Sequence, residues 1–172
     1  MEQKLAKACL EFIETGKNPK SHLFTVQFNP TQLNYSVSSE SENEEDTFSQ
    51  IADFQMKNNN VPAQAAYKKP RSVQVTLAMD LIFDSSLNPE KGIRKEVEGF
   101  LSAARNPLKR KVVFVWNKIR FEGDLSEVSA EYTMFSREGK PLRAKISITI
   151  NSNGKRGVPV RWTNSAKKIF HI

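Results

Sequence analysis

Residues 111–150 read KVVFVWNKIRFEGDLSEVSAEYTMFSREGKPLRAKISITI. Its opening run, residues 112–116, is apolar throughout, the pattern of a strand covered on both faces. Asn117-Lys118 reads as a tight hairpin connection into residues 119–122, although a two-residue type I′ turn prefers Asn-Gly. Val128, Ala130, Tyr132 and Met134 then alternate with polar residues. Residues 137–141 reverse the chain, and Leu142, Ala144, Ile146, Ile148 and Ile150 alternate again. A period of two marks a strand with one buried face, so this region is β-rich.

Upstream, residues 71–84 form the clearest strand of all. Val73, Val75, Leu77, Met79, Leu81 and Phe83 fall on one face, and Ser72, Gln74, Thr76 and Asp80 on the other. Asn88-Pro89-Glu90 predicts a helix start, with an N-cap, proline at the first position and an acid in the first turn. That helix runs to about Arg105 on a stripe of Ile93, Val97, Phe100, Leu101 and Ala104. Near the N-terminus, Ala6, Ala8, Leu10 and Phe12 alternate with Lys7, Cys9 and Glu11. Phe24, Val26 and Phe28 form a second strand, which Asn29-Pro30 stops or bends; Leu33, Tyr35 and Val37 form a third. The sum is seven or eight strands and one helix: a mainly β, α+β fold, predicted as a small barrel or sandwich with the helix against one opening or edge.

Composition and charge narrow the function. The chain has 172 residues, 38% hydrophobic and 26% charged, with a mean hydropathy of −0.52, which fits one globular domain. No apolar run approaches the roughly 20 residues of a membrane helix, and residues 1–10 build no signal-peptide core. A soluble protein outside the general export route, with no membrane partner, is therefore expected. The formal charge of +7 is concentrated: residues 151–172 hold Lys155, Arg156, Arg161, Lys167 and Lys168 and no acid. Without these five, 21 basic residues face 19 acidic ones. Glu40, Glu42, Glu44, Glu45 and Asp46 lie within seven residues, inside a stretch, 38–70, that carries no clear strand or helix pattern. A segment that long inside a compact domain is commonly functional or ordered by a partner. The domain is thus assigned to residues 1–150, with a long loop at 38–70 and a basic tail at 151–172.

No catalytic set assembles. The chain lacks a glycine-rich phosphate loop, a nucleophile elbow and a Cys/His or Glu/His motif at ligand spacing. Cys9 is the single cysteine, with no histidine near it in sequence; His22 and His171 read as surface groups. The acidic run lacks the Asp/Asn/Gly spacing of a calcium loop. No enzyme activity, metal or cofactor is expected. The basic tail interleaves its cations with Trp162 and Phe170, a pattern that supports single-strand stacking, so a nucleic-acid or anionic-surface binding module is the alternative reading. Binding of that kind falls steeply with salt. A solvated or partner-docking tail is the simpler account.

Four pieces in order resemble one family. They are Val112-Val113-Phe114-Val115-Trp116; Ile119-Arg120-Phe121-Glu122-Gly123-Asp124-Leu125; Val128 to Phe135; and Glu138-Gly139-Lys140-Pro141-Leu142-Arg143-Ala144, which runs into a β-branched strand. Val26-Gln27-Phe28-Asn29-Pro30 and the long strand before the helix agree. The pattern resembles the tube-like domain of contractile injection system proteins over about residues 3–150. Glu138 stands where that family usually has Asp. The resemblance implies a phage tail-tube fold, a hexameric ring, and a place where the inner tube meets the baseplate hub and spike. Its partners would be further copies, the tail tube protein, the hub or spike protein and other baseplate subunits, with nucleic acid not expected. It further implies assembly in the bacterial cytoplasm and then residence in a virion or injection particle. Many relatives carry a LysM peptidoglycan-binding module next; residues 151–172 are too short for one, so cell-wall binding is not carried over. The expected ring interface comprises Glu40, Glu42, Glu44, Glu45, Asp46, Phe54 and Tyr67 of the loop, and Lys155, Arg156, Arg161, Trp162, Lys167 and Lys168 of the tail. Trp116, Tyr132, Met134 and Phe135 are secondary candidates.

Overall fold

The computed structural model describes residues 5–16, 18–40 and 72–153. Among these residues, seven strands and one helix follow in chain order: β1 (Cys9–Glu14), β2 (Lys20–Thr25), β3 (Leu33–Glu40), β4 (Ser72–Asp84), α1 (Arg94–Arg105), β5 (Lys111–Trp116), β6 (Ile119–Phe135) and β7 (Pro141–Asn153). They form a single antiparallel sheet in the order β2-β1-β5-β6-β7-β4-β3. Among the described residues the architecture is mainly β with one helix, as the alternating segments and the apolar stripe predict.

The barrel or sandwich expectation needs correction in one respect. No ladder joins β2 to β3 among the described residues, so the sheet is open. It is nevertheless strongly curled. Four strands separate β2 from β4, which in a flat sheet would put them about 24 Å apart. Phe24 of β2 and Phe83 of β4 instead have ring centroids 5.8 Å apart. Tyr35 of β3 likewise meets Phe121 of β6 at 6.0 Å across the concave side.

The core lines that concave side. Val75, Leu77, Met79, Leu81 and Phe83 of β4 are buried, as are their register partners on β7, Ser152, Ile150, Ile148, Ile146 and Ala144. Val112 and Phe114 of β5 point into the same core, while Val113 is fully buried on the opposite face, as the unbroken apolar run predicts. Helix α1 fills one opening of the curl. Phe100 meets Phe12 at 5.5 Å, Phe24 at 5.2 Å and Phe83 at 5.9 Å, all near edge-to-face, the favoured geometry for aromatic pairs.

Two local expectations shift. The helix begins at Arg94, later than Asn88, because residues 85–91 close two turns, from Asn88 N–H to the Ser85 carbonyl and from Lys91 N–H to the Asn88 carbonyl. Gly92 then takes φ +61°, a left-handed conformation that ends the turn run before α1. Leu101, assigned to the apolar stripe, is 42% exposed. The two alternating stretches at 119–122 and 128–134 are one 17-residue strand. An irregularity between Leu125 and Glu127 inserts an extra residue, which switches the buried phase from Phe121 and Leu125 to Val128, Ala130 and Tyr132. Asn117 carries the hairpin with φ 54°, a conformation that asparagine tolerates better than most side chains.

Candidate functional site

The sheet register places the roots of the two charged segments together. Glu40, the last residue of β3, pairs with Ser72 at the start of β4, and Gln74 of β4 pairs with Asn153 at the end of β7. The acidic loop and the basic tail therefore leave from the same end of the sheet, with one strand between them, or about 10 Å. Glu40 lies in β3 and not in the loop. Glu42, Glu44, Glu45, Asp46, Phe54, Tyr67, Lys155, Arg156, Arg161, Trp162, Lys167 and Lys168 lie outside the described residues.

Strand pairing leaves several flanks without a partner strand among the described residues, those of β2, of β3 and of the distal half of β6 among them. β5 pairs with β6 only as far as Asp124, so β6 from Ser126 to Phe135 is bonded on its β7 side alone. At the other end of the sheet, β3 pairs only with β4. Each carries exposed apolar side chains: Leu23 at 70% on β2, Val37 at 59% on β3, and Met134 at 40% and Phe135 at 56% on β6. Unpaired backbone donors and acceptors with apolar neighbours form a template for another strand. Of the secondary interface candidates, Trp116 is committed within the subunit, its Nε1 donating to the Ala6 carbonyl at 3.1 Å. Tyr132 packs against the core.

The convex face of β3, β4, β7 and β6 is polar. Thr76 donates to Asn151 Oδ1 at 3.0 Å, and Ser147 donates to Asp80 Oδ1 at 2.6 Å. Lys145 bridges Asp80 at 2.9 Å, and Arg143 reaches Asp84 Oδ2 at 2.6 Å. Hydrogen bonds from Ser86, then Arg143, bring the Asp84 carboxyl down from 3.8 to about 2. Asp80 is lowered chiefly by the Ser147 hydroxyl, then by Lys145, and Lys145 is raised in turn by Asp80. A carboxylate whose folded pKa is depressed stabilises the fold fully above its unfolded value and loses that contribution as pH falls through the folded one. Stability should therefore decline between about pH 4 and pH 2, and Asp84→Asn should flatten that decline in urea titrations. Equal acid sensitivity in variant and wild type would remove Asp84 from the explanation.

Among the described residues, no group of three or more His, Cys, Asp or Glu side chains could hold a metal ion. Cys9 is half-buried, its Sγ 3.7 Å from Thr25 Oγ1, and His22 is exposed on β2. A groove of about 550 Å³ between the ends of β2 and β4 and the start of α1 is lined by Phe24, Gln27, Phe28, Phe83, Leu87 and Glu96 among others. Its lining contains neither histidine nor cysteine.

Two positions matter in ways the sequence reading missed. A Cβ at Gly123 would lie 2.4 Å from the Asn151 carbonyl oxygen, so only glycine lets β6 and β7 meet there. The free flank of β6 follows from where β5 stops, which the alternation of residues 128–134 does not disclose.

A search of curated proteins finds no match to this chain. The family model described as contractile injection system tube protein matches residues 4–158, which takes in every strand and the helix of the curled sheet. This chain belongs to the contractile injection system tube protein family.

Proposed function

We propose that the chain forms a hexameric ring, either a layer of the inner tube or the initiator ring that joins tube to baseplate hub and spike. A structural tube role follows from family membership. The observation that supports a ring is that β3 and the distal half of β6 each have a flank without a partner strand among the described residues. β3 and the distal half of β6 lie at different places on the subunit, so pairing one with the other in the next copy is a heterologous contact, which closes into a ring when its rotation permits. In that ring the polar convex face of β3, β4, β7 and β6 lines the bore. On that face Asp80 and Asp84 are paired with Lys145 and Arg143 within the subunit, which lowers the charge offered to a passing molecule. The role is mechanical: the ring holds the tube coaxial with the spike, templates further rings and travels with the tube on firing.

The acidic loop and basic tail, which leave one end of the sheet, pair this ring with its neighbours through opposite charge. The double variant Glu44→Lys, Glu45→Lys should lower the yield of rings in size-exclusion chromatography with light scattering, with the melting temperature unchanged. Rings at wild-type yield would remove the loop from the interface. Salt-sensitive oligonucleotide capture by a monomer, with no ring, would favour the binding-module reading instead.

A further inference from the structure

Residues 26–32 carry the chain from β2, one edge of the sheet, to β3, the other. Two side-chain amides on this crossing each make a two-point bond to backbone. Gln27 Nε2 donates to the Asp84 carbonyl at 2.6 Å, and Gln27 Oε1 accepts from the Asp84 N–H at 2.8 Å. Asn29 Nδ2 donates to the Ala6 carbonyl at 2.9 Å, and Asn29 Oδ1 accepts from the Ala8 N–H at 2.9 Å. A primary amide offers a donor and an acceptor side by side, as a peptide unit does. Each side chain therefore occupies the place of a neighbouring strand.

The position of Gln27 has a structural reason. β3 pairs with β4 only between Ser72 and Met79, so the end of β4 lacks a strand on that side among the described residues. Ser85 N–H bonds the Leu142 carbonyl at 2.8 Å, and backbone bonds alternate sides along an antiparallel strand. The N–H and C=O of Asp84 accordingly point away from β7, toward the flank that β3 does not reach. Gln27 satisfies both. The same crossing is tied to the segment before β1 by Val26 N–H to the Ala8 carbonyl at 3.0 Å and by Lys7 Nζ to the Gln27 carbonyl at 2.6 Å.

We propose that Gln27 and Asn29 form an amide strap that holds the curl of the open sheet, with Gln27–Asp84 as the seam along which it opens. A ladder would make the closure part of the sheet's cooperative network; one side chain makes it a local, releasable contact. The strap belongs to the subunit itself, whether or not subunits form rings.

Amide hydrogen exchange of the full chain, read by NMR, tests it. In Gln27→Ala the Asp84 amide should exchange about ten-fold faster or more, while amides of the β6–β7 ladder keep their protection. Gln27→Glu keeps the shape and still accepts from the Asp84 N–H but, when ionised, has no donor for the Asp84 carbonyl and sets a negative charge against it. Its Asp84 amide should exchange at a rate between those of wild type and Gln27→Ala near neutral pH and recover protection relative to wild type below about pH 4, where the carboxyl regains a donating O–H. Should Gln27→Ala lose protection throughout, the pH series of Gln27→Glu decides. Unchanged Asp84 exchange in Gln27→Ala, or wild-type exchange in Gln27→Glu at neutral pH, would overturn the strap.

Discussion

Gly123→Ala is expected to lower the melting temperature by about 6–12 °C, from a loss of about 3 kcal/mol. The added Cβ would sit 2.4 Å from the Asn151 carbonyl oxygen, 2.8 Å from its carbon and 3.0 Å from Ile150 Cγ2. Two of these three atoms are backbone in the middle of the sheet, so no side-chain rotation relieves the contact. The strands must separate, and they do so where β6 passes from pairing with β5 to pairing with β7, since Asp124 bonds in register with both Lys111 and Asn151. Gly99 provides the control. It lies in α1, and a Cβ added there would meet nothing within 4 Å, so Gly99→Ala should stabilise the fold by up to about 1 kcal/mol through helix propensity. Opposite signs for the same substitution, measured by thermal unfolding, are the expected result; a loss under about 0.5 kcal/mol at position 123 would show that the sheet yields there.

Phe100→Ala should be comparably severe, at about 3–5 kcal/mol in chemical denaturation. The ring is 3% exposed and packs edge-to-face on Phe12, Phe24 and Phe83, which come from β1, β2 and β4. It is the point at which the helix grips both ends of the curled sheet. Truncation leaves a cavity between three aromatic rings that the backbone cannot collapse without flattening the curl. Leu101→Ala, one residue on and 42% exposed, should change stability by less than about 0.5 kcal/mol. Similar losses for the two would mean that α1 does not seat Phe100 between those three rings.

These two positions also show what the sequence discloses. Phe100 is legible, because it falls at helical spacing from Ile93 and Val97. The faces of β4 and β7 are legible for the same kind of reason, since five consecutive alternations on each leave one register of burial. Gly123 is visible only as a letter in a motif; its necessity comes from the approach of Asn151, a partner 28 residues away that only strand pairing identifies. The helix start reads too early because Asn88-Pro89-Glu90 has the chemistry of an N-cap, and turn and helix share that chemistry until the positive φ of Gly92 is known. The curl is legible only as a barrel, because local patterning carries no information on whether the edges of a sheet pair. For the candidate interface, charge segregation is readable, whereas the common exit of loop and tail requires the register of β3, β4 and β7.

The ring is the central claim, and imaging tests it most directly. The tagged protein, purified gently from its native host, would be examined by negative stain while its co-purifying proteins are identified by mass spectrometry. Six-fold rings or tailed particles containing sheath and spike proteins are the predicted result, and the copy number per particle would separate a repeating tube layer from a single initiator ring. A monomer free of tail proteins would contradict the account.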